Sequence, residues 1–306
     1  MEAAATREWH EMQNHSSCTA SSAASDEPIA GSATAGMTQW LVIENCGPWP
    51  RKGLPDSMRR DLRDAADAAA AAVPGTRVLL ARGESTPDRA GPRIWISRSS
   101  ATARETHMTR LPASKRAEDL GLEARLRGDR SDGESVEHLL LVCTHGQRDR
   151  CCARVGMPVY QALRAVAPDA TLRASHLGGH RFAPTVLALP LGAHFGRVQP
   201  DDAAALVAAV GSGERGLARW YRGRSFLSRP AQAAVCHLHD ALQEPRLDAL
   251  QVEQVDLRGG EAASVRIRHG AQTHTVEVAL QAHPIPITKS CGDAPMPVPG
   301  WRVASP

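Results

Sequence analysis

Apolar positions along the chain fall into short runs separated by loops rich in glycine and proline, a rhythm of buried strands and single helices. Trp40-Leu-Val-Ile-Glu44 predicts a strand, stopped by Gly47-Pro48-Trp49-Pro50. Asp56 or Ser57 then caps a helix running to about Val73, where Pro74-Gly75 ends it. Arg77–Ala81 and Arg93–Ser97 predict two further strands, and residues 100–135 read as a polar connector with one short helix around 113–127. The pattern then restarts. His138–Cys143 is a strand, Thr144–Cys152 a loop, Val155–Val166 a helix and Thr171–Ser175 a strand. Thr185–Leu189 follows as a strand able to pair with Phe195–Val198, and Asp201 opens a helix to about Val210.

The order strand, helix, strand, strand thus occurs twice, which points to an internal duplication; the alternative is two unrelated α/β runs. Matching the first strands sets Glu44 opposite Cys143, so the first copy is expected to be a scaffold without the chemistry. The expected fold is α/β. A degenerate N-terminal half (18–110) and a connector (111–135) precede a thioredoxin-like domain (136–212). A C-terminal extension (213–306) holds a helix from about Pro230 to Leu242 and a β-hairpin within 252–280, where apolar and polar residues alternate. Residues 1–17 are expected to be a flexible N-terminus.

Composition narrows the function. The chain has 306 residues, 42 % hydrophobic and 23 % charged, with a net charge of +3, too small to argue for a nucleic-acid surface. No run of about 18 apolar residues is present, so no membrane span is expected. The basic residues are nearly all arginine; Lys52, Lys115 and Lys289 are the lysines. Seven cysteines, two of them adjacent, make a poor disulfide framework and suit a reducing cytoplasm, where clustered Cys and His suggest metal or redox work.

The informative stretch is Cys143-Thr-His145-Gly-Gln-Arg148-Asp149-Arg-Cys151-Cys152, followed by Ser175-His176-Leu-Gly178-Gly179-His180. Both pieces lie where a strand gives way to a loop, and parallel neighbouring strands bring such loops together. Two thiolates and two imidazoles can therefore converge as ligands for a soft or borderline metal. The two glycines favour positive φ and let backbone N–H groups approach an anionic centre. The bland reading is a buried Cys143 and a histidine pair satisfied by backbone carbonyls.

These motifs resemble the sucrase/ferredoxin-like family, through C-T-H-G-x-R-D-x-C-C at 143–152 and H-L-G-G-H-R-F-A at 176–183. Glu27–Gly31, Trp40–Glu44 with Gly47-Pro48-Trp49, Tyr221–Ser225 and Ser290-Cys291-Gly292 are similar to its flanking patterns. The resemblance implies a thioredoxin-like ferredoxin carrying a 2Fe–2S cluster on Cys143, Cys152, His176 and His180, with Cys151 and His145 as alternate ligands. Fungal members carry one cysteine where this chain has the doublet, and counting from His145 aligns it with Cys152. Arg148, Asp149, Gly178 and Gly179 are the expected supporting groups around the ligands.

The function this implies is one-electron transfer between a reductase and an acceptor, a redox protein partner in either case. Sucrose cleavage needs two facing carboxylates, and nothing singles out such a pair. Two other classes compete. A structural zinc module would use the same Cys2His2 set, and a thiol-redox enzyme would use Cys151–Cys152, although its usual motif is C-x-x-C. Cys18, Cys46 and Cys236 read as bystanders, whereas Cys291 lies in a tail able to fold back toward the centre. Arg222 and Arg224 could dock a partner or an anionic cofactor, or pack against the sheet through the neighbouring aromatic faces.

Overall fold

The computed structural model describes residues 17–83, 91–130, 132–216 and 218–304. The flexible terminus expected over 1–17 lies, but for Ser17, outside the described residues. A ten-stranded mixed sheet carries both halves. In the first, β1 (Gln39–Glu44) pairs in parallel with β2 (Thr76–Arg82) across helix α2 (Arg60–Ala72), and antiparallel with β3 (Arg93–Ser99), which pairs with β4 (Arg104–Arg110). In the second, β6 (Leu139–Cys143) pairs in parallel with β7 (Thr171–Ala174) across α4 (Arg150–Val166), and antiparallel with β8 (Val186–Leu189), which pairs with β9 (Ala193–Phe195). Each half is a βαβ unit followed by an antiparallel hairpin, the thioredoxin-like order.

The halves join where β2 meets β7 antiparallel, with Ala81 opposite Ala174. Glu44 pairs with Ala81 and Cys143 with Ala174, so the two residues occupy equivalent ends of equivalent strands. Glu44 is buried and ion-paired to Arg93 at 2.6 Å, a structural use of the position.

Alternation sorts the strands onto two cores. Leu41 and Ile43 face α2 and α3 (Leu122–Arg127), and Leu140 and Val142 face α4 and α5 (Ala203–Gly211). Trp40, Val42, Leu139, Leu141 and Cys143 share an inner core belonging to both halves. Cys143 thus belongs to the buried core that both halves share.

Several boundaries differ from expectation. Residues 104–110 form a strand rather than a connector, because pairing with β3 holds a polar sequence that has no apolar run of its own. Tyr221–Arg224 is likewise a strand, β10, at the edge beside β9. Helix α2 starts at Arg60, later than Asp56 or Ser57. Helix α4 starts at Arg150 rather than Val155, capped by the Asp149 carboxylate on the Cys151 N–H. Both members of the cysteine doublet therefore sit on its first turn. The C-terminal hairpin is part of a four-stranded sheet, β11 (Leu250–Arg258), β12 (Ala262–His269), β13 (Gln272–Ala282) and β14 (Pro299–Val303), packed on α6 (Arg229–Ala241). A short helix α1 (Cys18–Ala24) precedes the first strand. No described helix is long and apolar enough to cross a membrane.

Candidate metal centre

Strand β6 delivers Cys143 to its C-terminal end, and the first turn of α4 brings Cys152 back over it. Gly156, one turn along α4, makes this approach possible: a Cβ there would lie 2.2 Å from the Cys143 carbonyl oxygen. The loop after β7 adds His176. The donor atoms of Cys143, Cys152 and His176 all lie within 4.8 Å of one another. Cys143 and Cys152 are both buried. The interaction between the two side chains holds the Cys143 pKa well below the ordinary thiol value and drives that of Cys152 well above it, burial adding to the rise for Cys152 and opposing the fall for Cys143.

His180 stands beside His176, ring centroids 5.4 Å apart. It lies outside the tight Cys143–Cys152–His176 group because its Nε2 turns to the C-terminal tail, 2.7 Å from the Lys289 carbonyl and 2.9 Å from the Ser290 hydroxyl. Donation of Nε2–H to that carbonyl leaves Nδ1 as the lone-pair nitrogen. The Nδ1 atoms of both His176 and His180 are buried and have no hydrogen-bond partner. Burial also lowers the pKa of His180, against the opposing pull of Asp149, and so favours the neutral ring that a ligand must be.

The histidine loop is held from beneath. Gly178 and Gly179 have φ of +95° and +70°, and a Cβ on Gly179 would stand 2.1 Å from the Arg222 guanidinium. Arg222 is fully buried and donates to Gly178 O at 3.1 Å and Ser32 O at 2.6 Å, while stacking over Phe182. It is a brace for the loop rather than a docking residue. Arg77 of β2 donates to the carbonyls of His176 and Leu177. Arg77 carries no local motif that marks it as a support for the histidine loop. The signal was an arginine leading directly into the apolar run Val78–Ala81. Desolvation lowers the pKa of both arginines, that of Arg222 to about 9.

The remaining expected residues distribute around this core. His145 is buried, edge-on to Trp49 at 5.9 Å, and its ring nitrogens have no partner; burial lowers its pKa. Trp49 belongs to the first half, so that half supplies a cover as well as Arg77. Arg148 is half-buried and lines two cavities, one of which, about 230 Å³, exposes His176 between Arg51, Lys52 and Arg77. Asp149 turns its carboxylate toward the backbone N–H groups of Cys151 and Cys291, at 3.0 and 3.1 Å. Cys151 faces away from Cys152, toward Cys18 at 3.5 Å and Cys291 at 2.9 Å. The tail does fold back, as its cysteine suggested. Cys18, expected to be a bystander, is a neighbour of this group, brought there by α1.

Both cysteine groups, Cys143–Cys152–His176 and Cys18–Asp149–Cys151–Cys291, have the compactness needed to hold a metal ion. Comparison with curated proteins and with solved structures finds no match. The sequence pattern of one family does match, over residues 29–223, a span that carries both β-halves and the whole histidine loop, and the chain belongs to that sucrase/ferredoxin-like family.

Proposed function

We propose that the protein is a one-electron carrier whose 2Fe–2S cluster is held by Cys143, Cys152, His176 and His180. The observation that carries this reading is the compact Cys143–Cys152–His176 group together with the buried, unpartnered Nδ1 atoms of His176 and of His180, whose ring stands beside that of His176. Two sulfurs and two imidazole nitrogens are the donor set of a cluster in which histidines replace two cysteines on one iron. Such a cluster, when bound, supplies a reversible one-electron couple of higher potential than an all-cysteine cluster.

The surrounding residues suit that work. The Lys289 carbonyl fixes the tautomer of His180 and makes its ring more basic. Arg77 and Arg222 put two cations under the histidine loop, which favours the reduced, more negative state. Trp49 and the inner core keep water from the cysteine side. His176 lines the cleft bordered by Arg51, Lys52 and Arg148, a basic frame suited to an acidic redox protein.

The second reading is a zinc module on the same residues, favoured by the closeness of Cys143, Cys152 and His176, which would fit three corners of one tetrahedron. A thiol enzyme on Cys151–Cys152 gains no support, because the two side chains face different groups. Anaerobic purification followed by visible spectroscopy and iron and sulfide analysis separates the readings. A coloured protein with about two irons and two sulfides per chain, its spectrum altered in His176→Cys and His180→Cys, supports the electron carrier. A colourless protein with zinc on Cys143 and His176 overturns it.

A further inference from the structure

Three cysteines remain once the first centre has been assigned its four ligands and Cys46 and Cys236 are set aside, and they meet at one point. Cys18 comes from α1, Cys151 from the first turn of α4, and Cys291 from the tail. Their sulfurs are 3.5 Å (18–151), 2.9 Å (151–291) and 3.7 Å (18–291) apart. Both Asp149 carboxylate oxygens stand 3.8 Å from the Cys18 sulfur. The Asp149 side chain is 2 % exposed, and the N–H groups of Cys151 and Cys291 hold it in this orientation.

We propose a second metal site: one zinc-class ion held tetrahedrally by the thiolates of Cys18, Cys151 and Cys291 and the carboxylate of Asp149. A tetrahedron with Zn–S bonds of about 2.3 Å has edges of ~3.8 Å between sulfurs and ~3.5 Å from sulfur to oxygen. Two of the three sulfur pairs and the Cys18–Asp149 sulfur–oxygen distances lie close to those edges, and the third sulfur pair is shorter. Thiolates select soft or borderline metals, and a carboxylate in the set favours zinc over copper(I). A cubane iron–sulfur cluster binds its cysteines on separate irons and needs wider spacing. A disulfide would use two sulfurs and leave the third, with a buried carboxylate beside it, without a role. Cys18 and Cys291 lie outside the matched residues 29–223, whereas Asp149 and Cys151 lie within them.

The site ties both ends of the described chain to the first turn of α4. It thereby secures the tail segment that presents Lys289 O and Ser290 Oγ to His180. This consequence for His180 rests on the cluster reading; the metal site itself does not.

The test uses the full-length protein, purified anaerobically, with zinc and iron measured together and cobalt(II) titrated as a spectroscopic probe. One zinc per chain is expected in addition to iron. Cys291→Ser should lower zinc affinity at least tenfold, weaken the thiolate-to-cobalt charge-transfer band by about a third or more as one of three thiolates is lost, and leave iron and the visible spectrum in place. Cys143→Ser should do the reverse, losing iron and keeping zinc. Cys291→His, which restores a donor, should keep cobalt with a shifted spectrum. Circular dichroism of each variant identifies any that fails to fold; Cys291, in the half-buried tail, is the informative position if Cys18 or Cys151 variants do not fold. Zinc that follows Cys143 and His176 instead of Cys291 overturns the proposal. So does a folded protein that binds neither zinc nor cobalt, or a Cys151–Cys291 disulfide in anaerobically prepared material. Zinc dependent on Cys291 in a protein without iron would leave this site standing and remove the cluster reading.

Discussion

The α-carbon of Gly156 lies against the carbonyl oxygen of Cys143, so close that a methyl group added to the glycine would stand 2.2 Å from that oxygen. This contact sets the distance between α4 and β6, and with it the distance between Cys152 and Cys143. Gly156→Ala gains about 1 kcal/mol of helix propensity but must push the helix off the strand, a cost of about 1–3 kcal/mol or more. The expected outcome is a lower melting temperature together with a loss of metal from the Cys143 group, read by calorimetry and metal analysis on the same sample.

Arg77 ties the first half of the molecule to the histidine loop of the second. Arg77→Met leaves the carbonyls of His176 and Leu177 without their donor and should cost about 1–3 kcal/mol in denaturant unfolding. It also removes a cation near the proposed ligands, so on the electron-carrier reading voltammetry should find a lower reduction potential. Arg77→Lys keeps the charge without the fork and should recover more of the potential than of the stability.

Glu44 tests the scaffold role of the first half. Glu44→Ala breaks its ion pair with Arg93, whose side chain is 24 % exposed. Because water partly solvates the arginine left behind, the loss should fall at or below the lower end of the range for buried pairs, about 2–3 kcal/mol. Metal content should not change. A loss of iron equal to that in Cys143→Ser would contradict the scaffold role.

His239 on α6 supplies a pH dependence that involves none of the proposed ligands. Its ring is fully buried, donates Nδ1–H to Glu244 O at 2.8 Å and packs edge-on against Tyr221. Burial pulls its pKa down to about 4, with Arg215 reinforcing the shift and Glu244 and Asp240 opposing it. An unfolded histidine binds a proton near pH 6.5. Between these values the unfolded chain holds more protons, so stability is full above about pH 6.5 and falls as the pH drops toward 4. Urea unfolding from pH 7 to 4 should lose up to about 3 kcal/mol from this group, and His239→Gln should flatten the slope. An unchanged slope would assign the acid sensitivity elsewhere.

Residue type alone made much of this molecule legible. Trp40–Glu44 and His138–Cys143 announce themselves as buried strands because apolar and β-branched residues run unbroken up to a turn. Gly178-Gly179 marks the loop between the histidines because two adjacent glycines accept positive φ, as they do. The repeated strand–helix–strand–strand order was readable for the same reason. Strands 104–110 and 221–224 were not, since RETHMTR and YRGR carry no apolar run, and only their partners β3 and β9 make them strands. Local pattern also determined which loops hold cysteine and histidine, but not which way each side chain turns. Cys151 and Cys152 are neighbours in sequence, yet the helical twist that begins at Asp149 sends one toward Cys143 and the other toward Cys18 and Cys291. Cys18 and Cys291 are 273 residues apart. No local preference encodes a contact at that separation; it exists because the α1 segment and the tail both pack against the N-terminal end of α4, and only the folded chain brings those surfaces together.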